Sequence, residues 1–157
     1  AALGGDPDAA NWCFVVGIGN PVYRRAMDAT MSGLGLEATT LVHPTALIGD
    51  DVTVGAGTTI CAYSVLTTNV RIGVSAQINI GCVVAHDARI GDYVTLSQGV
   101  NIAGDVTIGD DATLHTQAIV DRGRTIGAGA IIASGAIVTR DIQSGVTAFG
   151  VPARPKT

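Results

Sequence analysis

An aliphatic side chain occupies every sixth position from Val42 to Val138 without a gap. The position two residues before each of them is small or β-branched, and Arg124 is the only exception. Residues two apart in an extended chain point to the same face, and these residue types suit a buried, pleated surface. The pattern therefore predicts short β-strands centred on Val42, Ile48, Val54, Ile60, Leu66, Ile72, Ile78, Val84, Ile90, Leu96, Ile102, Ile108, Leu114, Val120, Ile126, Ile132 and Val138.

Glycine adds a second, longer period, because it follows the aliphatic residue once in every eighteen positions. Three hexads thus form one repeating coil, and about five coils stacked at roughly 4.8 Å build a triangular prism of parallel strands with an aliphatic axis. Glycine adopts backbone angles that other residues resist, so we interpret these glycines as turn residues at one corner of the prism. They are Gly55, Gly73, Gly91, Gly109 and Gly127.

A strand, a helix and a second strand are predicted ahead of the prism. The apolar run at residues 13–16 indicates the first strand. Asn20 is suited to cap a helix that Pro21 opens and that ends near Gly33, and residues 36–42 return to extended structure. This unit is too small to fold alone, so it is expected to depend on the prism.

The turn between the first strand and the helix contains two glycines, Gly17 and Gly19, followed by Asn20. Such a turn is typical of a phosphate-binding helix N-terminus and equally of an ordinary tight turn, so both interpretations remain open. Residues 1–11 are small, acidic and glycine-rich, and they predict a flexible lead-in.

The composition limits the partners and the compartment. A formal net charge of −4 argues against a nucleic-acid partner. The three cysteines, Cys13, Cys61 and Cys82, show no paired spacing and are interpreted as free thiols of a reducing compartment. No apolar run approaches the length of a membrane helix and no signal peptide opens the chain, so a cytoplasmic protein without a membrane partner is expected.

Basic residues are concentrated near the C-terminus, where five of the nine in the chain fall within the last quarter. A polyanionic ligand would explain this concentration, and so would a solvated basic end, so the sequence leaves both open. The five residues are Arg122, Arg124, Arg140, Arg154 and Lys156.

The three histidines are separated by the phase of the repeat. His43 and His115 share one position of the eighteen-residue period, whereas His86 falls on another corner beside Asp87. Within one subunit they therefore cannot gather around a metal ion. His86 is either an ordinary solvated residue or a catalytic group whose ring Asp87 orients.

Three segments carry a resemblance to a known family. The segment NIGCVVAHDARIGD, residues 79–92, is similar to one found in the sugar acetyltransferases among the hexapeptide-repeat acyltransferases, whose hexads this chain shares. The segment FVVGIGN, residues 14–20, followed by Arg24 and Arg25, resembles the end of a small nucleotide-binding domain. One branch, which acts on nucleotide-linked amino sugars and includes sialic-acid O-acetyltransferase relatives, carries that domain before its β-helix. The run GVPAR, residues 150–154, is similar to the closing segment of the family.

The resemblance implies a mostly β fold, a left-handed parallel β-helix preceded by a partial α/β segment. It assigns residues 1–41 to an N-terminal nucleotide-sugar-binding segment, residues 42–141 to the β-helix acyltransferase domain, and residues 142–157 to a tail over the last coil. It also implies a homotrimer in which each active site lies between two subunits.

The family chemistry implies roles for the residues around His86. Acyl transfer from a thioester needs a neutral amine or hydroxyl, and an imidazole takes the proton of that group as it attacks, which makes His86 the general base. Asp87 would orient the ring and stabilise the imidazolium. Backbone amides near Gly104 would stabilise the oxyanion, and Asn79 would place the acceptor sugar.

The resemblance also implies the remaining binding contacts, with acetyl-CoA as co-substrate and no metal ion. Thr95 stands where the family often has a second histidine that contacts acetyl-CoA, so a hydroxyl would take that contact. The expected substrate-binding residues are Asn79, Gly17, Gly19 and Asn20, and the expected cofactor-binding residues are Thr95, Ala103, Gly104, Arg122 and Arg154.

The expected function is therefore acetyl transfer from acetyl-CoA to an amino sugar that is linked to a nucleotide, with N-acetylation favoured over O-acetylation. One alternative is a metal-dependent hydratase like the γ-type carbonic anhydrases, which share the β-helix but bind zinc through three histidines, including a close pair that is missing here. A non-catalytic β-helix scaffold is the other alternative.

Overall fold

The computed structural model describes residues 12–156, so the lead-in expected at residues 1–11 lies outside the described residues. The described chain consists of short strands and one helix. In chain order the elements are β1 (Cys13–Phe14), α1 (Pro21–Gly33), β2 (Glu37–Ala38), β3 (Leu41–Val42), β4 (Leu47–Ile48), β5 (Thr53–Val54), β6 (Thr59–Ile60), β7 (Val65–Leu66), β8 (Arg71–Ile72), β9 (Gln77–Ile78), β10 (Val83–Val84), β11 (Arg89–Ile90), β12 (Thr95–Leu96), β13 (Asn101–Ile102), β14 (Thr107–Ile108), β15 (Thr113–Leu114), β16 (Ile119–Val120), β17 (Thr125–Ile126), β18 (Ile131–Ile132), β19 (Ile137–Val138), β20 (Thr147–Phe149) and β21 (Arg154–Pro155).

Strands that lie eighteen residues apart pair in parallel and in register, so that Val84, for example, lies beside Ile102. This pairing builds the three faces of a prism. The first sheet contains β3, β6, β9, β12, β15, β18, β20 and β21, the second β4, β7, β10, β13, β16 and β19, and the third β5, β8, β11, β14 and β17. The second sheet has six strands, one from each of six coils, and five repeats of eighteen residues separate the first strand from the last. The sequence predicted about five coils.

Turns join the sheets along three edges, and we name each edge by one of its residues. The His86 edge joins the second sheet to the third, the Tyr93 edge joins the third to the first, and the Asn79 edge joins the first to the second. In successive coils the His86 edge contains residues 67–70, 85–88, 103–106 and 121–124, the Tyr93 edge residues 73–76, 91–94 and 109–112, and the Asn79 edge residues 61–64, 79–82, 97–100 and 115–118.

The aliphatic residues of the hexads fill the axis of the prism. From Ile60 to Val138 each of them is at most 5% exposed, and the small residues two positions earlier are buried with them. Val42 and Ile48 in the first coil are 46% and 41% exposed, because no further coil stacks on them among the described residues. The predicted fold class, a parallel β-helix preceded by a partial α/β segment, is confirmed.

The glycines that recur every eighteen residues were interpreted as supplying unusual backbone angles, and that reason is wrong. None of the five has a positive φ; positive φ occurs two residues later, as at Ser75, Tyr93 and Asp111. Lack of space requires these glycines instead, since a Cβ on Gly109 would lie 2.6 Å from the backbone nitrogen of Ala128. Each coil passes directly over the glycine of the coil before it.

The predicted strand, helix and strand also form. Strand β1 pairs in parallel with β2, and α1 connects them. The Asn20 side-chain oxygen accepts hydrogen bonds from the backbone N–H groups of Val22 and Tyr23, at 3.0 and 3.3 Å, and so caps the helix as expected. The helix ends at Gly33, and Gly35 follows it with φ 82°.

The buried side of α1 is not its apolar side. Val22 and Tyr23 are 69% and 67% exposed, whereas Arg24 is completely buried against the prism. Arg25 also faces the prism and pairs with Asp111 at 2.9 Å. Within residues 12–156 no helix has the length and apolar character needed to cross a membrane.

The chain after β19 closes the far end of the prism. Ile142 bridges to Ile126 of the third sheet, β20 pairs with β18, and β21 turns back antiparallel on β20. Ile142, Ala148 and Ala153 are at most 6% exposed, so the segment predicted as a tail supplies the last layer of the core.

Replacing Gly109 with alanine is expected to lower the free energy of unfolding by roughly 2 to 3 kcal/mol or more, because its Cβ would overlap the backbone of the next coil. The matched control is Gly129→Ala, where φ is +65° and no atom lies within 4 Å of the added Cβ, so only backbone strain of about 1 kcal/mol is expected. Urea unfolding at one protein concentration measures both; equal losses would contradict the steric explanation.

Candidate active site

Polar side chains from successive coils meet along the His86 edge. Nδ1 of His86 lies 2.7 Å from a carboxylate oxygen of Asp87, and the other oxygen of Asp87 accepts a 2.6 Å hydrogen bond from the Asn69 side-chain amide, one coil earlier. Asp87 has φ 61°, a conformation that aspartate tolerates better than most residues. The three side chains form a hydrogen-bonded row that crosses from one coil to the next.

The hydrogen bonds of Asp87 fix its charge and the tautomer of His86. The bond from His86 and then the bond from Asn69 lower the pKa of Asp87 below its usual value. An ionised carboxylate only accepts hydrogen bonds, so Nδ1 of His86 carries the hydrogen. In the neutral form of the ring, the lone pair therefore lies on Nε2.

The His86 ring lies against Gly104, which occupies the equivalent position in the next coil. A Cβ on Gly104 would lie 2.5 Å from Nε2 and 2.6 Å from Cε1 of His86, so only glycine leaves room for this ring position. The N–H of Asp105 donates to the carbonyl of His86 at 2.9 Å, which holds the two coils together at this point. Within residues 12–156 the N–H of Gly104 donates to no carbonyl, and the residue is buried beneath the ring.

An ion pair lies one coil beyond the ring. Arg122 contacts Asp105 through Nη2 at 2.6 Å and through Nε at 2.8 Å. Asp105 also belongs to a group with His86 and Asp87 whose potential metal ligands all lie within 4.8 Å of one another. Arg122 already occupies the Asp105 carboxylate, so a metal ion would have to compete with this pair.

The turn with the two glycines is fastened to the prism by Arg24. The guanidinium donates to the carbonyls of Ile18 at 2.6 Å, Gly19 at 3.0 Å and Ser75 at 2.8 Å, and also to the carbonyl of Tyr93. Burial lowers the pKa of Arg24 to about 10, so it stays charged at neutral pH. This single residue joins the turn to two coils of the Tyr93 edge.

Thr95 lies beneath the same turn and not on the His86 edge. It is 5% exposed, and its hydroxyl donates to the carbonyl of Gly19 at 2.8 Å and accepts from Arg24 at 3.0 Å. The hydroxyl is therefore used within the chain, and the contact with acetyl-CoA expected for Thr95 stays a prediction.

The residues expected to bind the acceptor do not gather around His86 within one chain. Asn79 lies on its own edge, where its amide donates to the carbonyl of Leu96 at 2.9 Å. The side-chain oxygen of Asn20 caps α1, while Gly17 and Gly19 have no atom within 4 Å of an added Cβ and so face open space. Their roles also stay predictions.

Apart from Thr95, the residues expected to bind the coenzyme fall at two places. Ala103, Gly104 and Arg122 share the His86 edge, whereas Arg154 lines a cavity of about 300 Å³ at the far end of the prism together with Arg140. Three coils separate Arg140 from His86, or roughly 14 Å along the axis. Arg140 therefore lies on the same edge as His86, three coils further on, at the basic end of the prism.

Sequence reasoning missed Asn69 and Asp105, and it named Arg24 only within a resemblance, without a role. Asn69 and Asp105 are eighteen residues before and after Asp87, so the coil length was the signal that would have found them. No local pattern indicates that Arg24 is buried, because its partners Ser75 and Tyr93 come from segments distant in the sequence.

Comparison with protein-family models finds no match. Nor does any curated protein match the chain.

Solved structures do match. PerB from Caulobacter crescentus, in complex with CoA and GDP-perosamine, is 35% identical with a TM-score of 0.89, over 91% of this chain and 69% of PerB. WeeI from Acinetobacter baumannii AYE is 35% identical with a TM-score of 0.88, over 90% of this chain and 69% of WeeI. The acetyltransferase domain of PglB from Neisseria gonorrhoeae FA1090 is 28% identical with a TM-score of 0.88, over 92% of this chain and 70% of that domain.

Hexapeptide coils with a histidine and carboxylate pair on one edge define the class of this protein as a hexapeptide-repeat acyltransferase. The 35% identity to PerB, over 69% of its length, identifies the family within this class. The chain belongs to the sugar N-acetyltransferases of the hexapeptide-repeat family.

Replacing Arg24 with methionine is expected to lower the free energy of unfolding by roughly 3 kcal/mol or more, because several buried carbonyls each lose a partner at a cost of about 1 to 3 kcal/mol. Arg25→Ala is the control, since the Arg25 side chain is 48% exposed in its pair with Asp111 and should contribute no more than about 1 kcal/mol. Denaturant unfolding compares the two variants. A smaller loss of unfolding free energy for Arg24→Met than for Arg25→Ala would contradict the role of Arg24 in joining the turn to the prism.

Replacing Asn69 with alanine is expected to raise the pKa of Asp87 towards its usual value, since one of its two hydrogen bonds is lost. A lowered folded-state pKa stabilises the fold above the unfolded-state pKa, and this stability disappears as the pH falls through the folded-state value. In Asn69→Ala this contribution should therefore be smaller, and its loss should be complete at a higher pH. Carboxyl NMR titration measures the pKa, with Asn101→Ala as a control outside the row. An unchanged pKa in Asn69→Ala would refute the coupling.

Proposed function

We propose that this protein transfers an acetyl group from acetyl-CoA to the amino group of a nucleotide-linked amino sugar. The observation that carries the proposal is the placement of His86, whose Nδ1 is held by Asp87 while its Nε2 lies over Gly104. The similar structures support the substrates, because PerB is bound to CoA and GDP-perosamine and the PglB domain is bound to acetyl coenzyme A.

In the proposed reaction the sugar amine attacks the thioester carbonyl directly. Nε2 of His86 accepts the amine proton as the N–C bond forms, and ionised Asp87 stabilises the resulting imidazolium. The N–H of Gly104, which has no carbonyl acceptor within residues 12–156, would donate to the oxyanion that develops on the carbonyl. The C–S bond then breaks, and the proton held by His86 passes to the departing thiolate, so His86 returns to its starting state.

The rest of the site is proposed from the contacts that remain open. The open faces of Gly17 and Gly19 are suited to the nucleotide part of the acceptor, since an absent Cβ permits close approach of a ligand to the backbone. Arg122 and Arg154 mark the line along which the coenzyme would extend from the His86 edge towards the basic end of the prism.

We further propose a homotrimer, because the expected site residues lie on different edges of one chain and a second subunit would bring them together. The surface supports an interface around the Asn79 edge. Exposed apolar residues border this edge in several coils, since Leu47 on the second sheet, Ile80 on this edge and Ile131 on the first sheet are 66%, 53% and 39% exposed, and a second subunit would bury them.

A reducing, cytoplasmic location is also proposed. Cys13, Cys61 and Cys82 are all free thiols, which is the usual state of cysteines in that compartment.

Replacing His86 with alanine is expected to reduce kcat for acetyl transfer by about 10² to 10⁴-fold, which is the usual contribution of a general base. His43→Ala is the matched control, since His43 lies on the Asn79 edge and its ring bonds only to Thr45. A coupled assay of CoA release with a panel of nucleotide-linked amino sugars measures turnover, and size-exclusion chromatography checks the assembly. Turnover near the normal rate in His86→Ala would remove His86 from the role of base.

A further inference from the structure

The outer face of the third sheet carries two arginines side by side. Arg71 on β8 and Arg89 on β11 are partners in the parallel register, and both are exposed. Neighbouring strands lie about 4.8 Å apart, and like charges at adjacent positions on one face of a sheet repel each other. This arrangement disfavours the folded protein unless an anion lies between or over the two side chains.

The chain itself supplies no such anion. In residues 12–156 neither Arg71 nor Arg89 lies within ion-pair distance of a carboxylate. Other exposed arginines differ in this respect, because Arg25, Arg122 and Arg124 each pair with an aspartate.

The acidic residues nearest to Arg89 in the sequence are already used elsewhere. Asp87 lies on the His86 edge, where its carboxylate is hydrogen-bonded to the His86 ring and to the Asn69 side-chain amide. Asp92 turns towards the preceding coil, where one of its oxygens accepts a 2.8 Å hydrogen bond from the N–H of Val74. Both guanidinium groups are consequently left for a ligand.

The position of this pair relates it to the reaction. Arg89 follows His86 by three residues, or at most about 10 Å of extended chain. The opposite margin of the third sheet is the Tyr93 edge, against which Arg24 holds the turn of Gly17 and Gly19. On the surface of one chain, the face that carries the two arginines therefore lies between this turn and His86.

We propose that Arg71 and Arg89 bind the phosphate groups of a substrate of the proposed acetyl transfer. Guanidinium groups bind phosphate oxygens in a bidentate manner, and a diphosphate offers enough oxygens for two of them. Hydroxyl donors flank the pair in the same column, because Thr53 is the register partner of Arg71 and Thr107 that of Arg89. A nucleotide sugar and coenzyme A both contain a diphosphate, so either substrate has the required chemistry.

The decisive experiment measures binding to the 157-residue chain without turnover. Isothermal titration with inorganic pyrophosphate, GDP, UDP and CoA compares the unsubstituted protein with the double variant Arg71→Ala and Arg89→Ala. Affinity for at least one organic diphosphate should fall tenfold or more, and its salt dependence should become weaker. The melting temperature should stay the same or rise, because the variant loses a like-charge repulsion; this separates lost binding from misfolding.

Two controls make the result specific. Arg25→Ala removes the same charge from an arginine that is already paired with Asp111 and lies off the proposed line of the coenzyme, so it should leave the affinities for CoA and pyrophosphate unchanged. Replacing both arginines with lysine keeps the charge but not the bidentate geometry, so it should restore part of the affinity.

The pattern of losses identifies the ligand. Weaker binding of GDP or UDP alone assigns the pair to the nucleotide sugar, and weaker binding of CoA alone assigns it to the coenzyme. Unchanged affinity for all three overturns the proposal, and so does a loss confined to pyrophosphate, which would indicate an adventitious ion only. Failure of the unsubstituted protein to transfer acetyl groups would contradict the proposed function, a result independent of these affinities.

Discussion

Stacking in register, with a repeat of eighteen residues, places every side chain of the prism directly above and below the residues one coil away. In the interior this creates continuous columns of valine, isoleucine and leucine, and no coil has a core without its neighbours. At the edges the same stacking leaves so little space that Gly109 must pass under the backbone of Ala128 without a Cβ. Packing and backbone course are therefore both set by one repeat.

The chemistry of the His86 edge depends on the same constraint. His86 is beside Asp87 in the sequence, but the other contacts of the pair come from adjacent coils: Asn69 bonds the carboxylate from the preceding one, and Gly104 admits the ring from the following one. The aliphatic columns behind the edge are buried, so they hold these positions. The scaffold thus orients His86, the proposed base, with a row of three hydrogen-bonded side chains.

Much of the fold follows from the sequence, because burial selects the same residue types at every sixth position. The pair of His86 and Asp87 was also predictable, since the two residues are adjacent. Asn69 was not found because recognising it requires the register between coils. The role of Arg24 was not predictable for a different reason: a charged residue on a helix is usually solvated, whereas the structure buries a guanidinium that several backbone carbonyls satisfy together. The glycines were located correctly but for the wrong reason, since their φ values are ordinary.

The in-register pairing of strands also restricts how such a chain can change its length in evolution. Deleting one hexad would turn every later residue by a third of a revolution, so that residues after the deletion would move to the neighbouring edge while the aliphatic axis stayed intact. If the deletion lay between His86 and Gly104, Gly104 would no longer lie beneath His86. Only insertions or deletions of a whole coil preserve the edges, and those placed between Asn69 and Gly104 would separate the residues of the row. Length variation compatible with this site is therefore confined to complete coils outside that interval.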